Sequence, residues 1–276
     1  MTSQPKRHHV VPQFYLRGFA LAEQLTGIHI NNGRRFSPVV ERAASQNHFY
    51  RLADDYLDGP LALERAFSSV ETETATIFRQ IHDGDWPLSF RDRRKLSFFI
   101  GTQLLRGPRY RSALLSAGTT GTRIDGSAMT ATEIHAHQIA TLAEEWMPQL
   151  MNRPWALVQF KHRSLITSDS PVSSIRLPHY GPGRWSGAPF AVATEVLYPI
   201  SRKYGLRMRD KSLISSIDGH LLVELGHFDR IEPGTVKAEK HFNRRTAETA
   251  TRFLYHHPDD ARFVPHGVSN STRPLA

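Results

Sequence analysis

The 276-residue chain is predicted to fold as an α+β domain, with a helical block, a mostly antiparallel sheet and a closing C-terminal helix. Three observations predict this class. Apolar residues recur at three- and four-residue steps as far as Met151, short alternating runs take over beyond Pro154, and no repeat or βαβ alternation is present. With 39% hydrophobic residues, including 15 Phe, 8 Tyr and 4 Trp, the chain can bury a substantial core. The expected boundaries are a single domain over 1–265, helical over about 1–151 and sheet-rich over about 152–265, with a flexible tail over 266–276.

Each element has its own signal. After Pro12, the spacing of Phe14, Tyr15, Leu16 and Phe19 predicts a short proline-initiated helix. Gly27 to Asn31 alternates and runs into Asn32-Gly33, a hairpin signature whose second strand would span Phe36 to Val40. From Pro60 to about His82, the residues Leu63, Phe67, Val70, Thr74, Ile77, Phe78 and Ile81 mark one face of a long helix. A second helix, Ser89 to Arg106, carries Leu96, Phe99, Ile100 and Leu104 and is stopped by Gly107-Pro108. Ser116 to Ser127, rich in Gly, Thr and Ser, reads as a mobile connection and a candidate linker or lid. A third helix runs from Thr132 to about Met151. Trp155–Phe160 and Ser164–Thr167 are expected as paired strands joined by Lys161-His162-Arg163, and residues 178–189 as an irregular loop. Further strands are expected at Glu195–Ile200, Tyr204–Arg209 and His220–Leu225, with a final helix from near Asn243 to about Tyr255.

Composition bounds the chemistry. The 35 Lys+Arg against 26 Asp+Glu give a net charge of +9, so attraction to phosphates, nucleic acid included, is expected. The basic residues cluster at Lys6-Arg7, Arg34-Arg35, Arg91 to Lys95, Arg106-Arg109-Arg111, Arg202-Lys203 and Arg244-Arg245. No cysteine occurs, which removes disulfides, thiolate zinc sites, iron–sulfur clusters and cysteine nucleophiles; any metal would be held by His, Asp, Glu or Asn. No apolar run reaches signal-peptide length or the roughly 20 residues that span a bilayer, so a cytoplasmic protein without a membrane partner is expected. Gly-x-Ser-x-Gly, the P-loop, Gly-x-Gly-x-x-Gly and His-Glu-x-x-His are all absent.

Several positions could carry function, and each has a structural reading beside the chemical one. His9, just before the Pro12 helix, could ligate a metal or carry a proton, or could simply anchor the N-terminal segment. Glu71 falls on the apolar stripe between Phe67 and Ala75, so its carboxylate needs a partner: Arg106, a metal or a substrate. Gln103 and Arg106 project to the same side of one helix, which suits an anionic ligand and equally an ion pair to Glu71 or Asp169. Thr167-Ser168-Asp169-Ser170-Pro171 follows a strand, where catalytic side chains are often displayed, but Ser-Asp before proline is also ordinary turn chemistry. Asn243 reads most simply as a helix N-cap.

The string Arg7-His8-His9-Val10-Val11-Pro12-Gln13-Phe14-Tyr15-Leu16-Arg17-Gly18-Phe19 resembles the opening motif of the uncharacterised family known as domain of unknown function 4238, roughly His-x-Val-Pro-x-x-Tyr-Leu-x-x-Phe. Glu71 in Glu-x-x-x-Ala-x-x-Ile, Gln103-x-x-Arg106 after Phe99-Ile100, Thr167-Ser168-Asp169-x-Pro171 after a Trp155 strand, and Asn243 follow in the family's order. The resemblance covers most of the chain and implies one domain of unassigned activity, with His9 at the motif histidine and His8 as an extra one. His8-His9-Val10-Val11-Pro12 also resembles the first strand of His-Asn-His nucleases; Asn47-His48 comes 38 residues after His9, and no third histidine fits a following helix.

The functional expectation is a hydrolase-like enzyme, metal-dependent or not, acting on a phosphate-containing or nucleic-acid substrate. His9, Glu71 and Asp169 would be catalytic or would hold a divalent metal, with Gln103, Arg106, Ser168 and Asn243 binding substrate. Two alternatives stand beside it: a non-catalytic module that binds nucleic acid or an acidic partner, and a small-molecule metabolic enzyme whose anionic substrate lies against Arg106. The oligomeric state is left open.

Overall fold

The helical periodicity and capping signals place the expected helices of the first half of the chain, to which the structure adds a short helix and a pair of short strands. A computed structural model of the protein describes residues 7–47, 49–50, 52, 59, 61–176, 189–210, 212 and 217–267. Strand β1 (Arg7–His9) leads into helix α1 (Gln13–Arg17), with Pro12 as its N-cap, and the hairpin β2 (Thr26–His29) and β3 (Arg35–Phe36) follows. A 3-10 turn (Val40–Arg42) precedes β4 (Ser45–Asn47), which pairs antiparallel with β1.

Helix α2 (Ala62–Asp83) ends at Gly84, whose φ of 97° supplies the left-handed conformation that closes the helix. Helix α3 (Phe90–Leu105) starts where the Ser89 side chain accepts from the Asp92 amide. Gly107-Pro108 does stop α3, but Pro108 also begins helix α4 (Pro108–Ser116), an element the sequence reading lacked: proline at a first position both ends one helix and starts the next. The Ser116–Ser127 connection contains a turn closed by a bridge between Thr122 and Ala128. Helix α5 (Ala131–Met151) then opens on a capping box between Thr130 and Glu133.

The second half differs more widely, and its strands at 173–176 and 230–233 were not expected from the sequence. Strand β5 (Trp155–Gln159) does not pair with 164–167. It lies between β9 (Tyr204–Met208), antiparallel, and β10 (Arg230–Pro233), parallel, in a sheet of order β10-β5-β9-β8-β7, with β7 Ser173–Arg176 and β8 Ala193–Pro199. The Ile166 amide donates instead to the Asn243 side chain, and only β6 (Thr167–Ser168) becomes strand. The expected strand His220–Leu225 lies within and just beyond helix α6 (Ile217–Glu224): a six-residue apolar run does not distinguish helix from strand by its periodicity. The expected helix from Asn243 to Tyr255 is instead α7 (Val236–Thr249), capped by Thr235, followed by strand β11 (Phe253–His256), so Asn243 lies in mid-helix rather than at a cap. The irregular loop expected at 178–189 falls almost entirely outside the described residues, as does most of the tail.

Strands from both ends of the chain share the second sheet, of order β3-β2-β11-β6. Helix α3 packs against α2 and α5, and one apolar core joins the helices to the larger sheet through Phe78, Phe99, Trp146, Trp155, Leu157, Val196 and Tyr198. Helix α7 packs on β6, β7 and β8. Among the described residues no helix is long and apolar enough to cross a membrane.

Candidate functional site

Helical spacing puts Phe67 and Glu71 on one face of α2 and Phe99, Gln103 and Arg106 on one face of α3, and these faces meet beneath β1. Arg106, 2% exposed, donates from Nη1 to Glu71 Oε1 at 2.8 Å and from Nη2 to the His9 carbonyl. Its Cζ lies 4.3 Å from the Phe67 ring centroid, and its own carbonyl accepts from the Tyr50 hydroxyl at 2.6 Å. Burial opposes the guanidinium's charge, but Tyr50 and Glu71 together hold its pKa above the usual value. The same burial pushes the Tyr50 hydroxyl up to about 12. The His9 ring donates from Nε2 to the Glu41 carbonyl at 2.9 Å, and burial lowers its pKa despite that bond.

The polar layer continues inward. Gln103 is 3% exposed and neither of its amide atoms has a hydrogen-bond partner among the described residues. Tyr198, from β8, stacks on Tyr15 at 5.3 Å between centroids and lies close enough to feel the charges of Arg106 and Glu71. Tyr15 is the tyrosine of the Val-Pro-x-x-Tyr string, and its hydroxyl meets Thr167 Oγ1 at 2.7 Å. The N-terminal string, both mid-chain helices and Thr167 of β6 therefore converge on one layer, in which Tyr15, Tyr198 and Thr167 are partners that spacing alone did not single out.

Asp169 and Asn243 lie elsewhere and are committed to backbone. Asp169, 4% exposed, accepts the Thr251 amide on Oδ1 and the Arg252 amide on Oδ2, each at 2.8 Å, while its own amide donates to the Phe253 carbonyl. Burial pushes its carboxyl up to about 6 against those hydrogen bonds. Ser168 Oγ accepts the Ser170 amide at 3.1 Å, closing the turn before Pro171. Asn243, fully buried, accepts from Ile166 N at 3.0 Å and donates towards the Ser164 carbonyl, the Phe263 carbonyl and Glu239 Oε1. Thus Glu71, Arg106 and the His9 backbone come together, with Gln103 buried one turn before Arg106, whereas Asp169, Ser168 and Asn243 fasten the β6–β11–α7 junction. Among the described residues no group of three or more His, Asp or Glu side chains is gathered so that it could hold a metal ion, and His9, Glu71 and Asp169 form no such set. The β1–β4 pairing sets Asn47 opposite Arg7 and Ser45 opposite His9; His48 lies outside the described residues.

Asp169 nevertheless shapes the surface. The backbone turn it grips carries Arg252, which lines an open cleft of about 760 Å³ with Arg42, Phe36, Ser37, Ser45 and Asn47 among its other walls. No carboxylate lines this cleft, and neither Arg42 nor Arg252 is in an ion pair among the described residues. Most of the basic clusters visible in the sequence are spent differently. Arg93 is buried against Asp229 and the Met151 and Arg153 carbonyls, and Arg94 and Lys95 face Glu144 and Glu73. Arg202 pairs with Asp260, and Arg244 and Arg245 pair with Glu248. Arg42 and Arg252 had no such clustering to mark them; three-dimensional proximity, not sequence, sets them in one cleft.

The family described as "Protein of unknown function (DUF4238)" matches residues 7–260. Neither a curated protein nor a solved structure matches the chain.

Proposed function

Because the chain belongs to that family, a membership that assigns no activity, we propose on the geometry that it binds a phosphate-bearing ligand, nucleic acid included, in the Arg42–Arg252 cleft. The observation that carries the proposal is that Arg42 and Arg252 line one cleft with no carboxylate among its described lining residues, in a chain whose other basic clusters are largely paired. Guanidinium forks suit phosphate oxygens, the Ser37 hydroxyl and Asn47 amide add neutral donors, Ser45 gives its hydroxyl to the Arg42 carbonyl, and Phe36 offers an apolar wall. The net charge of +9 favours the encounter. In this reading the polar layer around Arg106 is scaffold: it locks β1, and with it the paired strand β4 that forms one side of the cleft. Thermal unfolding of the full chain with inorganic phosphate, ATP and a single-stranded oligonucleotide tests it. Stabilisation by at least one of them in the wild type, absent in an Arg42→Ala/Arg252→Ala variant, is the expected result; no stabilisation by any of them contradicts it.

A second reading, a phosphoester hydrolase, draws on Glu71 and His9 being partly exposed beside Arg106. It requires phosphoester turnover by the wild type that Glu71→Gln abolishes without unfolding the protein.

A further inference from the structure

Helix α6 and the strand after it do not look like a solvated surface. Leu221, Leu222, Leu225, Phe228, Ile231 and Val236 are each between 39% and 60% exposed, within sixteen residues of chain. Single exposed apolar side chains are ordinary, but such a concentration is a mark of an interaction face. Strand β10, which contains Ile231, is an edge strand of the five-stranded sheet, bonded among the described residues to β5 alone. The Gly234 amide donates to the Gln159 carbonyl at 2.7 Å, so alternate residues Glu232 and Arg230 also turn their backbone groups towards β5. Ile231 and Pro233 therefore turn theirs to the open side, where proline has no amide hydrogen to leave unpaired.

We propose that α6 together with the open edge of β10 is a self-association face, covered by a second copy of this chain related by a two-fold axis through Ile231. Two features select a second copy. The first is charge: Arg230 and Glu232 already pair within one chain, and in an antiparallel pairing centred on Ile231 the Arg230–Glu232 pair of each copy stands opposite the Glu232–Arg230 pair of the other, so that the two pairs join in one alternating network. The second is area. Six side chains about half exposed present about 500 Å² of apolar surface, and two copies together reach the roughly 1,000 Å² at which specific interfaces begin. Since Pro233 follows and Asp229 N is already bonded to the Gly226 carbonyl, the open edge offers one donor, that of Ile231, which suits a closed pair better than a growing sheet.

The absence of cysteine makes the test clean. Sedimentation velocity of the full chain over a concentration series is expected to show a species of twice the 31.3 kDa chain mass. An Ile231→Cys variant is expected to give a disulfide-linked dimer under mild oxidation, because directly opposed strand residues lie within disulfide reach. A Leu115→Cys variant, exposed on α4, is the control and should remain monomeric on a denaturing gel. A Leu221→Asp/Leu225→Asp variant should sediment as monomer while still unfolding cooperatively, with a melting temperature that no longer depends on protein concentration. A wild type that stays monomeric at all concentrations, or a dimer that Ile231→Cys fails to join, overturns the proposal. Because the Ile231→Cys readout does not depend on the aspartate variant folding, misfolding of that variant leaves the test intact. The cleft proposal is independent of this outcome.

Discussion

Replacing Glu71 by Gln isolates the electrostatic centre of the polar layer. Arg106 is 2% exposed and Glu71 Oε1 lies 2.8 Å from its Nη1, so removal of the carboxylate charge takes from a buried guanidinium the carboxylate it is hydrogen-bonded to and leaves it the more distant charge of Glu64. At an effective dielectric of about 20, a pair at this range is worth about 4 kcal/mol. The Glu71 side chain is 25% exposed and the Gln amide oxygen can still accept from Nη1, so the expected loss is about 2–3 kcal/mol. The His9 carbonyl bond and the Phe67 ring contact remain in the variant and limit the damage. Urea denaturation reads the loss as a lower midpoint at unchanged slope, and thermal unfolding as a drop of about 5–10 °C. A double-mutant cycle with Arg106→Met should show the two losses to be strongly non-additive. If Glu71→Gln costs under about 0.5 kcal/mol and the cycle shows additivity, the ion pair is not what organises this layer.

Other changes probe neighbouring claims. Asp169→Asn leaves the Thr251 or Arg252 amide facing a donor, which should cost about 1–3 kcal/mol in denaturant unfolding; an unchanged midpoint would show that the clamp on the cleft turn is dispensable. Gln103→Met removes two buried polar atoms that have no protein partner, so stability should hold or rise by about 1 kcal/mol, and a clear loss would show the amide to be bonded. His135, fully buried among Phe49, Tyr50 and Tyr110 and donating from Nε2 to the Leu105 carbonyl, has its pKa pushed down to about 4. With the folded value below the unfolded one near 6.5, the unfolded chain binds the proton first. Stability is therefore complete above about pH 6.5 and falls by about 2–3 kcal/mol as pH drops towards 4. In His135→Gln that acid-side fall should shrink, and an identical pH profile would contradict the assignment.

The helical half was the more legible because its information is local. The 67, 71, 74, 78 and 99, 103, 106 spacings place the side chains that meet, and Glu71's position on an apolar stripe already demands a partner such as Arg106. Ser89 and Thr130 mark helix starts by hydrogen bonds within three residues. The sheet half depends on long-range pairing. Strand β5 finds β9 and β10 across more than forty residues, and Ile166 gives its amide to Asn243 rather than to a strand. Asn243 resembles a cap because asparagine is favoured there, yet its four partners lie on other segments or a turn back along α7. Asp169 was legible as a turn residue, but that its turn carries Arg252 to Arg42 was not, since 210 positions separate the two arginines in the chain (252 − 42).

The most direct measurement is the affinity of the full chain for a fluorescently labelled single-stranded oligonucleotide, followed by anisotropy across a salt series. Arg42→Ala/Arg252→Ala should weaken binding by about 10–100-fold and flatten the dependence on salt, while Arg91→Ala/Arg94→Ala leaves the affinity within about threefold. Equal affinity of wild type and the Arg42/Arg252 variant, or loss only on changing Arg91 and Arg94, would place the phosphate contacts outside the cleft.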